Sequence, residues 1–475
     1  MGSDNIVSRR EFVKGATAFG ALSLGMWMGG CESCQQKIAN RPRRRNIANL
    51  AANHPLIVAY KDAVSAMKAL PSSDPRNWTK QAEIHLNHCP HGNWWFLPWH
   101  RAYLLYFERI CRKLSGYNDF ALPYWNWTTS PAIPAPFWGN GNPLFDSTRV
   151  IGPSDQADAS WVGASVIENI LSTPNFDVFA SNPATAPRGG GGGYGQLEAT
   201  PHNNIHGWIS GDMGAFMSPL DPVFWCHHNI LDCLWVEWNI NRNNPNTNDS
   251  NWINLHFSEF VDENGQPVDV MAGITTLFPL FDYQFEPCGP VQTENKMSRV
   301  ALEAFLKAGA PVKLDFTQRI ELKRGLVAEV GRPVASTANI EVDVLRRVLQ
   351  SEGKTSALLT VDGVDAPERA DYYVRVFAGK SDATEQTPIS DPHYAGSFGF
   401  FQDARAMPAM AAGTAHPMLG FVVDLTPTLQ RLSQAGSLPQ AQLDVTLVPV
   451  PYERRQATGQ RLGIEKLELG IANVK

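Results

Sequence analysis

Eight of the twelve histidines in this 475-residue chain fall in two groups: His85, His88, His91 and His100, then His202, His206, His227 and His228. A lone histidine usually fills a structural role; two groups placed where helices start or stop point to metal. In Pro201-His-Asn-Asn-Ile-His206 the i, i+4 spacing puts two imidazoles on one helical face, one above the other. His228 heads another helical run and can supply a third nitrogen. Asp232, one turn further on, can accept from a ligand's other ring nitrogen or hold a nearby cation. His91 and His100 are nine residues apart, on opposite faces of any single helix, so they converge only if the chain between them is irregular. Pro98 suits that, leaving His91 on a loop and His100 in the first turn of a helix. His85, on the preceding helix, is the best third member, with His88 as its competitor.

Each triad is all imidazole, a donor set that suits zinc, copper, iron or nickel. A single three-histidine site reads as catalytic zinc. Two of them, with no HExxH, carboxylate pair or acidic bridging motif, suit a dinuclear hydrolase poorly, and two copper ions fit better.

Apolar spacing predicts helices at Leu56–Leu70, Trp78–His88, from Pro98 through Ile110, at Pro201–Trp208 and at Asp221–Trp238. Residues 128–197 are loop-rich and end in Gly189-Gly-Gly-Gly-Gly193-Tyr-Gly195, read as a mobile surface loop. Beyond about residue 295, short alternating runs at Ile340–Val344, Ala357–Val361, Tyr372–Phe377 and Leu443–Val448 read as strands. The fold class expected is an α helical-bundle dicopper core (39–295), a linker (296–310) and an all-β, sandwich-like C-terminal domain (311–475).

A net charge of −6 argues against a nucleic-acid partner, and the basic run Arg41–Arg45 reads as a solvated segment. Ser8-Arg-Arg-Glu-Phe-Val-Lys14 precedes a weakly apolar stretch too short to span a bilayer. Residues 1–38 resemble a twin-arginine export signal, which implies a periplasmic or extracellular protein. Met28-Gly-Gly-Cys31 also reads as a lipoprotein cleavage site; a lipid on Cys31 is the one membrane contact expected. Of the seven cysteines, Cys226 and Cys233 lie in an apolar helical run and read as buried thiols. Oligomeric state has no signal in the pattern.

Longer motifs carry a resemblance. Ala69-Leu-Pro-Ser-Ser-Asp-Pro-Arg-Asn-Trp78, Phe96-Leu-Pro-Trp-His-Arg101, Phe120-Ala-Leu-Pro-Tyr-Trp-Asn-Trp127 and the stretch from Asp221-Pro-Val-Phe224 through His227-His228 to Asp232 and Trp235 resemble the two copper regions of plant-type polyphenol oxidases. Tyr373-Val-Arg-Val-Phe377, Ala395-Gly-Ser-Phe398 and Asp444-Val-Thr-Leu-Val-Pro449 resemble their C-terminal domain. The chain thus resembles the type-3 copper proteins: tyrosinases, catechol oxidases and molluscan haemocyanins. The resemblance implies one copper held by His85, His91 and His100 and a second by His202, His206 and His228, with His227 outside the ligand set. Cys89-Pro-His91 resembles the Cys-x-His of fungal tyrosinases, where a thioether joins the sulfur to the histidine ring. Phe224 resembles a ring flanking the second copper, and Gly207 would leave that side open to bulky phenols. Glu198 and Asn203 resemble a pair that holds a water acting as general base toward a phenol. The implied reaction uses dioxygen to hydroxylate monophenols at the ortho position and oxidise o-diphenols to o-quinones. A catechol oxidase limited to diphenols is the alternative, and a dioxygen carrier a more distant one. The C-terminal domain resembles the shield of latent enzymes, with Tyr394, Phe398, Phe400 and Phe401 as candidate plugs.

Overall fold

The computed structural model describes residues 41–277, 281–289, 314–351, 353–365, 367, 371–401 and 418–473. The twin-arginine stretch, Cys31 and the linker 296–310 lie outside the described residues. No helix among the described residues is long and apolar enough to cross a membrane.

Five helices build the wall of the candidate site. Helix α1 (Pro55–Ala69) starts on His54, whose ring accepts from Leu56 N–H, with Pro55 at a first-turn position that needs no donor. Helix α2 (Trp78–His88) starts on Asn77, whose side chain accepts from Thr79 N–H. Helix α3 (Phe96–Ser115) ends at Gly116, whose φ of 68° is the left-handed turn that closes many helices. Helix α4 (Asn203–Ile209) follows a wide π-turn over Glu198–His202, which contains Pro201. Every residue of helix α5 (Val223–Val236) is buried. Trp99, Trp125, Trp127, Trp208, Trp225, Trp235, Trp238 and Trp252 are all fully buried, so the tryptophan density of the sequence is core packing.

Two small sheets brace this core. Strand β1 (Arg43–Arg44) pairs in parallel with β4 (Gln284–Phe285), and β2 (His256–Val261) forms a hairpin with β3 (Pro267–Met271). Arg44 is wholly buried: it donates to Glu108 of α3 at 2.7 Å and to Asn229 and Asp232 of α5 at 2.7 and 3.0 Å. Arg101, next to His100, also donates to Asp232 and stacks over Trp235 at 3.7 Å. Asp232 is therefore the holder of cations that its spacing allowed. It ties the helix of His100 to the helix of His228, and removing one partner of such a buried pair costs about 3–5 kcal/mol.

The reading of Cys233 as a thiol is corrected. It forms a disulfide with Cys288, 55 residues away, and anchors the β4 end of the core to α5. Cross-links of this kind stabilise by typically ~2–4 kcal/mol. Cys226 is a buried free thiol, as are Cys89 and Cys111.

The C-terminal domain is two four-stranded antiparallel sheets. One has the order β10 (Leu419–Asp424), β7 (Thr355–Val364), β12 (Arg461–Asn473), β5 (Asp315–Glu329). The other has the order β6 (Val334–Asn339), β11 (Gln442–Pro451), β8 (Tyr372–Ala378), β9 (Tyr394–Phe398). Leu359, Val361, Leu467 and Leu469 of the first sheet share one apolar cluster with Val374, Val376, Val445 and Leu447 of the second. One expected strand is a helix instead: Ile340–Val344 leads into α6 (Val342–Gln350), with Val344, Leu345 and Val348 buried. Alternation over five residues does not separate a strand from a helix start.

Candidate metal centre

The six expected ligands come together from four helices, the loop after α2 and the π-turn before α4. Within the first triad the ring centroids lie 5.3 Å (His85–His91), 5.5 Å (His85–His100) and 5.3 Å (His91–His100) apart. Within the second they lie 4.5 Å (His202–His206), 5.0 Å (His202–His228) and 5.4 Å (His206–His228) apart. The triads face each other, His100 stacked on His228 at 4.4 Å and His91 on His202 at 5.4 Å. His88 is exposed at the end of α2, whereas His85 is fully buried, so the geometry chooses between them.

Backbone carbonyls fix which nitrogen three of the rings turn inward. His85, His100 and His206 use Nδ1 against the carbonyls of Phe216 (2.7 Å), Phe96 (2.8 Å) and Met213 (2.6 Å). A carbonyl only accepts, so Nδ1 carries the proton and Nε2 keeps its lone pair. His202 is set the same way by Asn203 Oδ1 at 2.8 Å. The Nε2 atoms of His85, His100 and His202 and both nitrogens of His91 are buried without a partner, and His206 Nε2 lies 3.2 Å from His228 Nε2. Burial holds His85, His91, His202 and His228 far below the ordinary imidazole range and His100 and His206 down to about 3, so all six rings are neutral. Neutral rings with converging, orphaned lone pairs are what a pair of copper ions needs. His227 is different: its Nδ1 accepts from Trp127 Nε1 at 3.3 Å, so its lone pair is already used.

The loop between α2 and α3 makes the first triad. Gly92 has φ of 64°, and its N–H donates to Glu198 Oε1 at 2.8 Å. Cys89, the last cap of α2, puts its sulfur within 4.8 Å of the ligand atoms of both His85 and His91. Glu198 is fully buried and also accepts from Ser181 Oγ at 2.6 Å; burial raises its carboxyl to about 8.

Aromatic rings enclose the site. Phe96 lies 4.6 Å from His100 and 4.7 Å from His202, and Phe224 lies 4.1 Å from His228. The fourth wall comes from the C-terminal domain. Phe401, just past β9, sits 4.6 Å from His91, 4.3 Å from His206 and 5.4 Å from His202. Of the four candidate plugs it is the one that meets the histidines. Phe398 and Phe400 pack on Phe421 inside the β domain, and Tyr394 Oη donates to Ser160 O. The segment leading to Phe401 is laced to the π-turn: Thr200 Oγ1 donates to Ser397 O (2.5 Å), Gly399 N–H to Ala199 O (2.8 Å), and Asn203 Nδ2 to Gly399 O (3.0 Å).

Two sequence readings are corrected here. Gly207 does not leave its side open: a Cβ there would lie 2.8 Å from the ring of Tyr452, whose hydroxyl donates to Asn204 Oδ1. The glycine-rich stretch is not simply a surface loop, since Gly193, Tyr194 and Gly195 are buried between the two domains, with Gly193 N–H donating to Gly92 O and Tyr194 N–H to Gly420 O. Tyr452, Ser181 and Phe216 had no signal in the sequence, because only long-range packing brings them to the site.

Comparison with known proteins gives a consistent picture. A family model described as the common central domain of tyrosinase matches residues 62–185 and 140–241. A tyrosinase of Hahella sp. is 27% identical over 465 residues, covering 82% of this chain and 92% of that protein. A chloroplastic polyphenol oxidase of Vicia faba is 32% identical over 277 residues, covering 49% of this chain but only 45% of that protein. Among solved structures, latent apple tyrosinase aligns with a TM-score of 0.69 at 21% identity, covering 91% of this chain and 98% of that one. A latent aurone synthase, a polyphenol oxidase, aligns equally well over 92% of this chain and 90% of that one. At such identities these structures share the fold, including the β domain.

Proposed function

We propose that this chain, whose residues 62–185 and 140–241 match the common central domain of tyrosinase, is a latent tyrosinase-type polyphenol oxidase that uses copper to hydroxylate monophenols and oxidise o-diphenols to o-quinones. The observation that carries the reading is the pair of neutral histidine triads, lone pairs inward, beneath a removable aromatic ring. His85, His91 and His100 would hold one copper and His202, His206 and His228 the other. When bound, the pair supplies dioxygen binding and the redox capacity for two-electron oxidation.

The protein's own groups do the rest. Phe401 marks where a phenol ring sits, between His91 and His206, with Phe96, Phe216 and Phe224 keeping water out. A dry pocket with few polar groups is the usual setting for such a ligand. Glu198, paired with Asn203 through a water, takes the phenol proton; its raised pKa makes it a stronger base than an ordinary carboxylate. The nearness of Cys89 to His91 supports a thioether between them, which fixes a ring whose nitrogens have no hydrogen-bond partner. Forming it removes one hydrogen from each partner, with dioxygen as oxidant. The expected result is an intact mass lower by two hydrogens after copper loading in air, and an unchanged mass in Cys89→Ser. An unchanged mass in the parent chain would reject the link.

Latency is supported by the contacts of Phe401 and by the engagement of Asn203 with Gly399. Export by the twin-arginine route remains part of the proposal; the disulfide favours an oxidising compartment. The deciding experiment is dioxygen uptake by the copper-loaded chain with a monophenol and the matching diphenol, before and after limited proteolysis. Uptake with both, rising on cleavage, is expected. Uptake with the diphenol alone would make it a catechol oxidase. Uptake with neither, at two coppers per chain, would overturn the reading.

A further inference from the structure

At the rim of the histidine site lies one cation that the proposed mechanism does not use. Arg188 is exposed, and among the described residues no carboxylate lies within ion-pair distance of it. The arginines elsewhere around the core are committed: Arg44 and Arg101 to Asp232, Arg149 to Asp221, Arg454 to Asp155. Arg188 spends one donor on Leu86 O at 2.6 Å, at the end of the helix that carries His85. Its guanidinium lies over the ring of Phe216, 5.4 Å from the centroid.

Phe216 is the link to the site. The same ring lies 5.3 Å from Phe401 and 5.6 Å from His91, and its carbonyl orients His85. Arg188 therefore stands one aromatic ring away from the place a phenol takes when Phe401 leaves. Its backbone is held there: Asn93 Nδ2 donates to Pro187 O at 2.9 Å, and Thr185 N–H to Gly190 O at 3.0 Å. A guanidinium presents donors in a planar fork that matches a carboxylate.

Resting on the phenol-oxidase reading above, we propose that Arg188 selects substrates by charge, favouring phenols that carry a carboxylate on a short side chain and disfavouring those that carry an amine. An exposed ion pair is weak, so the selectivity is about two- to fivefold and appears in KM.

The test compares three catechols that differ only in their tail: 3,4-dihydroxyphenylpropanoic acid, 4-methylcatechol and 3,4-dihydroxyphenethylamine. The protein is the full copper-loaded chain, opened by Phe401→Ala or by limited proteolysis, with Arg188→Ala, Arg188→Lys and Arg188→Glu made in it. The expected order of kcat/KM is acid, neutral, amine. Arg188→Ala should lower the acid-to-neutral ratio about two- to fivefold through KM, Arg188→Lys should restore part of it, and Arg188→Glu should invert the order. Added salt should shrink the preference in the parent and leave Arg188→Ala unmoved. An acid-to-neutral ratio that stays the same in Arg188→Ala and Arg188→Glu would overturn the proposal. A parent that oxidises none of the three would instead overturn the reading it rests on.

Discussion

Replacing Phe401 by alanine should raise o-diphenol oxidation by the intact, copper-loaded chain at least tenfold, with no protease added. The ring lies against His91, His206 and His202 and is 2% exposed, so it occupies the volume a phenol needs. Deleting a buried phenylalanine side chain costs about 3–5 kcal/mol. Here that loss falls on the docked state of the C-terminal domain and leaves a cavity shaped for a small aromatic. Each 1.4 kcal/mol is tenfold in an equilibrium, so a fraction of the loss suffices for the rise. Monophenol hydroxylation should rise less, because Asn203 Nδ2 still donates to Gly399 O while the domain stays docked. Limited proteolysis should then lift both activities. Phe400→Ala is the control: it empties a position inside the β domain against Phe421 and should destabilise that domain without the same diphenol-selective rise. An unchanged diphenol rate in Phe401→Ala with full copper content would remove Phe401 from any blocking role.

The gathering of the six expected ligands was legible because their spacing is local. His202 and His206 are four residues apart across the junction of the π-turn and α4, and His91 with His100 needed only the break around Gly92 and Pro98. The choice of His85 over His88 needed burial, since both lie on the same stretch of α2. The β domain was legible from alternation in Leu443–Val448, yet the same signal failed at Ile340–Val344, where the apolar stripe of Val344, Leu345 and Val348 starts too late for a five-residue window. What could not be read was set by tertiary approach. Cys233 looks like any apolar helix residue until Cys288 is folded against it. Gly207 looks open until Tyr452 of the other domain covers it. Arg44 sat in a basic run that read as solvated, and it is wholly buried because Glu108 and Asp232 reach it from two helices.

Glu198→Gln should cut monophenol hydroxylation about a hundredfold while diphenol oxidation falls only a few-fold, at equal copper content. A positioned base contributes roughly 10²–10⁴-fold to a step that moves a proton, and a monophenol must lose its proton at a site where water is scarce. A diphenol is more acidic and depends less on the base. The substitution keeps the shape: the amide oxygen can accept from Gly92 N–H, and the amide nitrogen can donate to Ser181 Oγ. That matters because Glu198 has a second role in the same geometry. Gly92 follows His91, so the carboxylate also pins the loop that presents a ligand. Loss of that pin would reduce copper content and both activities together, which glutamine avoids and Glu198→Ala does not. A selective loss in Glu198→Gln therefore reports the base. An equal loss on both substrates, with copper falling in step, would make Glu198 a positioning residue for His91 and leave the phenol proton to another acceptor.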